Sequence, residues 1–173
     1  TLMIPSVFMS WTGEALDKKI PLLRSNDAMN KAGQRVLSLM GETEIAPLNS
    51  SCGAEQEYFL VDTALYFSRP DLVLTGRTVF GHASAKDQQL SDHYFGSIAD
   101  RVLQFMREFE YESHRLGIPI KTRHNEVAPN QFECAPVYEE TNLAVDHNQL
   151  MMHIMQKVAK KHDLTVLLHE KPF

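Results

Sequence analysis

Four glutamates in two short stretches are the residues of this chain best suited to chemistry. Gly53 to Asp62 reads Gly-Ala-Glu-Gln-Glu-Tyr-Phe-Leu-Val-Asp and carries Glu55 and Glu57. His124 to Glu133 reads His-Asn-Glu-Val-Ala-Pro-Asn-Gln-Phe-Glu and carries Glu126 and Glu133 around a Pro-Asn pair. With Pro129 and Asn130 at the tip of a two-residue hairpin, Ala128 faces Gln131, Val127 faces Phe132, and Glu126 faces Glu133. Two carboxylates then stand with Cβ atoms roughly 5 Å apart. At an effective dielectric of about 20 they repel by about 3 kcal/mol. A bound cation removes that repulsion, and a retained proton relieves it. The register has one weak point: Pro-Asn suits a type I turn better than the primed turns that two-residue hairpins favour.

Glu55 and Glu57, two apart on a strand, point to one face. Taken alone they fit a solvated acidic strand face. Glu126 and Glu133 do not, because apolar neighbours bury the positions around them. An all-oxygen set suits Mg²⁺ or Mn²⁺ rather than zinc. Such ions keep waters and substrate oxygens, so a carboxylate cluster without Cys or His points to phosphate chemistry.

Other candidates carry less. No two of the eight histidines stand four apart on a helix, so a helical zinc pair is missing. His147 and His153 read as surface or core-edge residues, and His124 fits the carboxylate site or a structural hydrogen bond equally. Gly81 to Lys86 lacks the second glycine and the hydroxyl of a phosphate-binding loop. Ser84 has no base partner in sequence. The methionines fall mostly on helix stripes and read as core.

The elements that must position the glutamates come from periodicity. Met3 to Trp11 is apolar and β-prone, a strand that Gly13 ends. Leu22 to Met40 has near-helical apolar spacing, with Pro21 at a tolerated entry position, Gly41 as a stop and Gly33 awkwardly in the middle. Thr43 to Ser51 reads as a loop. The second half of Gly53 to Asp62 reads as a strand. Leu72 to Leu74 reads as a short strand, and Gly81 to Asp92 as a loop. Ser97 opens a helix with Ile98, Val102, Phe105, Phe109 and Leu116 in steps of three and four, closed by Gly117. Ile118 to Thr122 is a strand feeding the hairpin. Thr141 or Asn142 caps a third helix with Leu143, Leu150, Ile154 and Val158 buried, ending near Asp163 behind Lys157, Lys160 and Lys161. Leu164 to His169 is a last strand. Helices alternate with strands while the hairpin is antiparallel, so the expected fold is α+β, an antiparallel curved sheet covered by helices.

Bulk properties narrow the partners. A 173-residue chain can bury one core, and 43% hydrophobic with 23% charged residues is ordinary for a soluble globular protein. A net charge of −5 without a basic run argues against nucleic acid. No apolar run reaches the roughly 20 residues of a membrane helix, and no stretch reads as a signal peptide. Cys52 and Cys134 form no C-x-x-C pair and read as reduced residues of a cytoplasmic protein. The chain opens on Leu-Met-Ile-Pro-Ser-Val-Phe and ends on His-Glu-Lys-Pro-Phe, which reads as a piece of something longer.

Three segments together resemble the catalytic domain of glutamine synthetases: Gly-Ala-Glu-Gln-Glu-Tyr-Phe (53–59), Asn-Glu-Val-Ala-Pro-Asn-Gln-Phe-Glu (125–133), and a helix and strand ending Glu-Lys-Pro-Phe (170–173). The seven-residue step from Glu126 to Glu133 is similar to the eukaryotic type. Gly76 to Gly96, with Gly-His-Ala-Ser-Ala-Lys-Asp-Gln-Gln-Leu, is similar to the large bacterial type III enzymes. The resemblance covers essentially the whole chain. It implies that Glu57, Glu126 and Glu133 hold a Mg²⁺ or Mn²⁺ ion that positions the γ-carboxylate of L-glutamate, which makes Glu57 and Glu126 substrate-binding as well. It implies that Glu55 contributes to a second metal bridging the ATP phosphates. It places Gly53 where the strand approaches the nucleotide and Tyr138 where some members pack an aromatic ring on adenine. Lys121 stands where some members carry an acidic nucleotide contact.

The implied reaction phosphorylates the γ-carboxylate with ATP, and ammonia then displaces phosphate to give glutamine. The resemblance further implies a homo-oligomer, a dodecamer in type III members. It makes residues 1–173 the front half of a catalytic domain, inactive alone. An Asn-Gly-Ser-Gly-x-His segment and phosphate-binding arginines are expected beyond Phe173, and a small β domain before Thr1. Alternatives are a γ-glutamyl ligase for another amine, a Mg²⁺-dependent phosphohydrolase, and a non-enzymatic assembly domain.

Overall fold

The computed structural model describes residue 2, residues 4–81 and residues 93–169. In chain order the elements are α1 (Lys19–Leu39), β1 (Ser51–Cys52), β2 (Gln56–Asp62), α2 (Thr63–Phe67), α3 (Pro70–Thr75), a 3₁₀ turn (His93–Phe95), α4 (Asp100–Arg115), β3 (Ile120–Asn125), β4 (Gln131–Pro136), β5 (Glu139–Glu140), α5 (Thr141–Lys161) and β6 (Leu164–Leu167). Contacts divide them into two units.

The first unit runs up to Cys52 and includes Tyr138–Asp146. Its long helix α1 opens where Asp17 Oδ1 accepts the Ile20 N–H at 2.9 Å. Gly33 is there for space: a Cβ at that position would stand 2.5 Å from Leu48 Cδ1. The glycine that looked out of place in a helix thus admits the returning chain, which Asn30 Oδ1 also holds through the Leu48 N–H at 2.8 Å. Two short strands, β1 and β5, pair antiparallel with Ser51 opposite Glu140. The strand expected over Met3 to Trp11 does not form; among the described residues, only Met9 bridges, to Ala15. The chain instead folds back on itself, Ser10 N donating to Glu14 O and Leu16 N to Phe8 O, each at 3.0 Å, and among the described residues no further strand joins this bridge.

The second unit carries the sheet. Its order is β3-β4-β2-β6, and every neighbouring pair is antiparallel. One face packs under helices: Tyr58, Leu60, Phe132, Cys134 and Val166 of the strands meet Val102, Phe105, Met106 and Phe109 of α4 and Met151, Ile154, Met155 and Val158 of α5. Each such fully buried side chain contributes about 1.5–3 kcal/mol relative to exposure. Gly117, at φ 81°, ends α4 and lets Ile118 N donate back to Ser113 O at 3.0 Å. The fold is therefore the expected antiparallel sheet covered by helices.

A smaller cluster occupies the opposite face, joining Phe59, Leu167, Leu72 of α3 and Ala128 of the β3–β4 turn. Here the expected short strand at Leu72 to Leu74 is instead helix α3. Pro70 sits in its first turn, where a missing N–H costs nothing, and Gly76 closes it at φ 71° with its N–H on Leu72 O at 2.9 Å. Buried Asp71 anchors the chain on both sides of α3: Arg69 donates to both its oxygens at 3.0 and 2.7 Å, and the Val79 N–H donates at 3.0 Å. The Arg69 guanidinium holds the Asp71 carboxyl well below the usual carboxylate range. The loop expected over Gly81 to Asp92, with Ser84, lies outside the described residues apart from Gly81, as does Glu-Lys-Pro-Phe at 170–173.

Candidate metal centre

The β3–β4 register differs from the expected one by two positions in its pairing sum. His124, not Glu126, is the partner of Glu133, and Glu126 N donates to Gln131 O at 2.9 Å across the last rung. The reason is the turn. Pro129 and Asn130 are the central residues of a four-residue turn in which Gln131 N donates to Ala128 O at 3.1 Å. Asn130 takes φ 59°, the left-handed value that Asn tolerates after Pro. The connection is thus four residues long, 127–130, rather than two. The facing pair moves, yet the parity does not: His124, Glu126, Gln131 and Glu133 still share one face. Glu126 and Glu133 are diagonal neighbours.

The next strand completes the row. Glu57 of β2 stands directly opposite Glu133 on its other side. Glu133 is therefore flanked by His124 and Glu57, with Glu126 diagonal and Glu55 just before β2, near enough for its charge to act on Glu133. Glu126 and Glu133 are buried, at 6% and 7% exposure, while Glu55 and Glu57 are exposed. Nε2 of His124 lies 3.4 Å from Glu126 Oε1 and 3.7 Å from Glu133 Oε1. One donor atom from each of His124, Glu126 and Glu133 lies within 4.8 Å of the others.

Burial pushes the Glu133 carboxyl up to about 7, aided by its hydrogen bond with Glu126 and by the charges of Glu126, Glu55 and Glu57. A buried carboxylate pair held close by a rigid sheet, with more carboxylates at its rim, is a poor structural motif and a good divalent-cation site. The donors fit such an ion: oxygens dominate, as Mg²⁺ and Mn²⁺ prefer, and one imidazole nitrogen adjoins them.

Two further residues belong to this face. Tyr94, in the 3₁₀ turn, donates its hydroxyl to Glu126 Oε2 at 2.8 Å. Asn125 Nδ2 holds that segment by donating to Gly96 O at 2.7 Å. Gln131 Nε2 donates to Glu57 Oε2 at 2.9 Å. Gln131 is visible in the sequence as the residue two before Glu133. Tyr94 is not, since 32 residues separate it from Glu126 and no local pattern links them. Of the two roles that suit His124 in sequence, the structure selects the first: the ring faces the carboxylates.

Beside Glu57 runs a groove of about 260 Å³ lined by Glu55, Glu57, Phe59, Gln131, Leu168 and His169. Gly53 lies exposed in the loop before Glu55. Lys121 is exposed on β3. Tyr138 is exposed and belongs to the first unit.

Residues 31–173 match the family model described as glutamine synthetase, catalytic domain. The chain belongs to the glutamine synthetase family. Residues 1–25 match the model described as glutamine synthetase type III N terminal, which makes it a type III member. Over 173 residues it is 61% identical to a glutamine synthetase of Bacteroides fragilis (strain YCH46), covering 100% of this chain and 24% of that protein. A glutamine synthetase of Butyrivibrio fibrisolvens is 50% identical, with 100% and 25% covered. The type-3 glutamine synthetase of Dictyostelium discoideum is 48% identical over 172 residues, with 99% and 23% covered. The chain thus spans about a quarter of the length of the curated relatives it matches. Among solved structures, apo GmaS without ligand superimposes with a TM-score of 0.52 at 24% identity, covering 71% of this chain and 26% of that one. A GmaS/ADP complex gives the same score and identity, with 71% and 25% covered. Both share the fold with this glutamine synthetase chain.

Proposed function

We propose that the protein joins ammonia to L-glutamate at the expense of ATP, giving L-glutamine through γ-glutamyl phosphate, and that this chain supplies the carboxylates of its metal centre. The observation that carries the reading is the buried Glu126–Glu133 pair with Glu57 at the facing position, in a chain 61% identical to a glutamine synthetase.

In this reading Glu57, Glu126 and Glu133 hold one divalent cation and Glu55 contributes to a second. When bound, Mg²⁺ or Mn²⁺ offsets the charge of two anions that must meet and orients them in line. Glu57 and Glu133 sit on β2 and β4, and Glu126 directly follows β3 with its N–H on Gln131 O at 2.9 Å, so little is lost to reorganisation on binding. Tyr94 fixes one oxygen of Glu126 and leaves the other directed toward His124. Glu57 and Glu126 also position the substrate glutamate. Gly53 contacts the nucleotide. In the first step a γ-carboxylate oxygen takes the terminal phosphoryl group of ATP and ADP leaves. In the second, ammonia forms the C–N bond as the C–O bond to phosphate breaks, and one nitrogen proton is lost to the departing phosphate.

The protein is cytoplasmic and assembles into a dodecamer. Supporting the first is that Cys52 and Cys134 are free thiols.

The test is phosphate release by the whole protein with ATP, L-glutamate and ammonium. Phosphate and glutamine should appear in equal amounts and only with all three present. ATP hydrolysis that ignores glutamate, or turnover with an alkylamine far above that with ammonia, would overturn the reading.

A further inference from the structure

We infer that Gln131 is a positioning residue: its amide ties the β3–β4 turn to the Glu57 carboxylate and sets where that carboxylate stands beside Glu133. The inference rests on the proposal that Glu57 is a cation ligand.

A glutamine amide has an acceptor oxygen and two donor hydrogens. Both ends of this one are used. Oε1 accepts the Ala128 N–H at 3.1 Å, and Nε2 donates to Glu57 Oε2 at 2.9 Å. The turn end is held by further contacts. Gln131 N closes the turn on Ala128 O at 3.1 Å, and Leu60 N donates to Asn130 O at 3.1 Å. Ala128 itself is buried in the cluster with Phe59, Leu72 and Leu167. An amide anchored at its oxygen aims its nitrogen at a fixed point.

Glu57 needs such a guide. It is exposed, faces Glu133 across the strands and has Glu55 beside it. Repulsion alone would turn it out to solvent. A Lys or Arg at position 131 would hold Glu57 but cancel the charge that a cation requires. A neutral amide engages Oε2 alone, brings no positive charge and leaves Oε1 for a cation. Residues that orient ligands in this way typically change metal affinity about 10–100-fold when removed.

The test measures Mn²⁺ binding to the whole protein by loss of the free-ion electron paramagnetic resonance signal, together with hydrogen exchange of the Ala128 amide. Gln131→Met keeps the volume and loses both bonds. It should weaken Mn²⁺ about tenfold and speed Ala128 exchange. Glu57→Gln should weaken Mn²⁺ at least as much, and the double variant no more than Glu57→Gln alone. If Glu57→Gln weakens Mn²⁺ while Gln131→Met leaves it within about twofold, or if the two effects add, the role given to Gln131 is wrong. If Glu57→Gln itself changes nothing, the ligand assignment fails first. Should Gln131→Met not fold, Gln131→Asn, too short to span both partners, is measured with the same expectations.

Discussion

Replacing Glu133 by glutamine should stabilise the protein when no divalent cation is present, and destabilise it relative to wild type when one is. The Glu133 carboxyl is pushed from 4.5 up to about 7 by burial and by neighbouring carboxylates. The folded state therefore holds a proton that the unfolded state has released. Stability falls as pH rises from about 4.5 to about 7, and the whole loss is present above that window. The difference, 7 − 4.5, corresponds to at most about 3.4 kcal/mol at 1.36 kcal/mol per unit. Solvent reaches this face past exposed Glu55 and Glu57, and screening leaves about 1–2 kcal/mol.

Gln at 133 mimics the protonated acid at every pH. In chelator at pH 8 the variant should unfold roughly 2–8 °C above wild type. At pH 5 the two should nearly coincide. Mn²⁺ at about 100 times its dissociation constant should add about 2.7 kcal/mol to wild type and much less to the variant, reversing the order. Thermal unfolding followed by circular dichroism reads all three conditions. A variant no more stable than wild type at pH 8 in chelator, or a difference independent of pH, would refute the electrostatic reasoning.

Mn²⁺ affinity should rise about tenfold per pH unit up to about 7 and flatten above, because binding must displace the Glu133 proton; calorimetric titration across pH 5.5–8.5 checks it, and a flat profile counts against it. Tyr94→Phe removes a hydrogen bond to buried Glu126 and should cost about 1–2 kcal/mol of stability at pH 8, read by urea unfolding, with glutamine formation reduced about tenfold. Phe105→Ala empties a fully buried position between Tyr58 and Phe109 and should cost about 3–5 kcal/mol in the same urea experiment.

Much of this site was readable because strand parity survives a wrong register. Any even-length connection, of two residues or four, puts Glu126 and Glu133 on one face. Parity could not choose the rung, since that depends on the turn: Asn130 entering the left-handed region after Pro129 makes a four-residue connection, and His124 rather than Glu126 becomes the partner of Glu133. Helices α4 and α5 were legible from apolar steps of three and four. Helix α3 was not, because its six residues are too few for a period and Leu-Val-Leu looks β-prone. The early apolar stretch formed no strand because a strand needs a partner, and β-propensity does not supply one. Tyr94 reaches Glu126 only through tertiary folding, which no local pattern encodes.

The most direct measurement is Mn²⁺ binding to wild type and to Glu126→Ala at pH 7.5, read by the paramagnetic resonance of free Mn²⁺. If the buried carboxylates form the cation site, wild type depletes the free signal and Glu126→Ala binds at least about 100-fold more weakly. Equal affinity in the two proteins would contradict the assignment of the site.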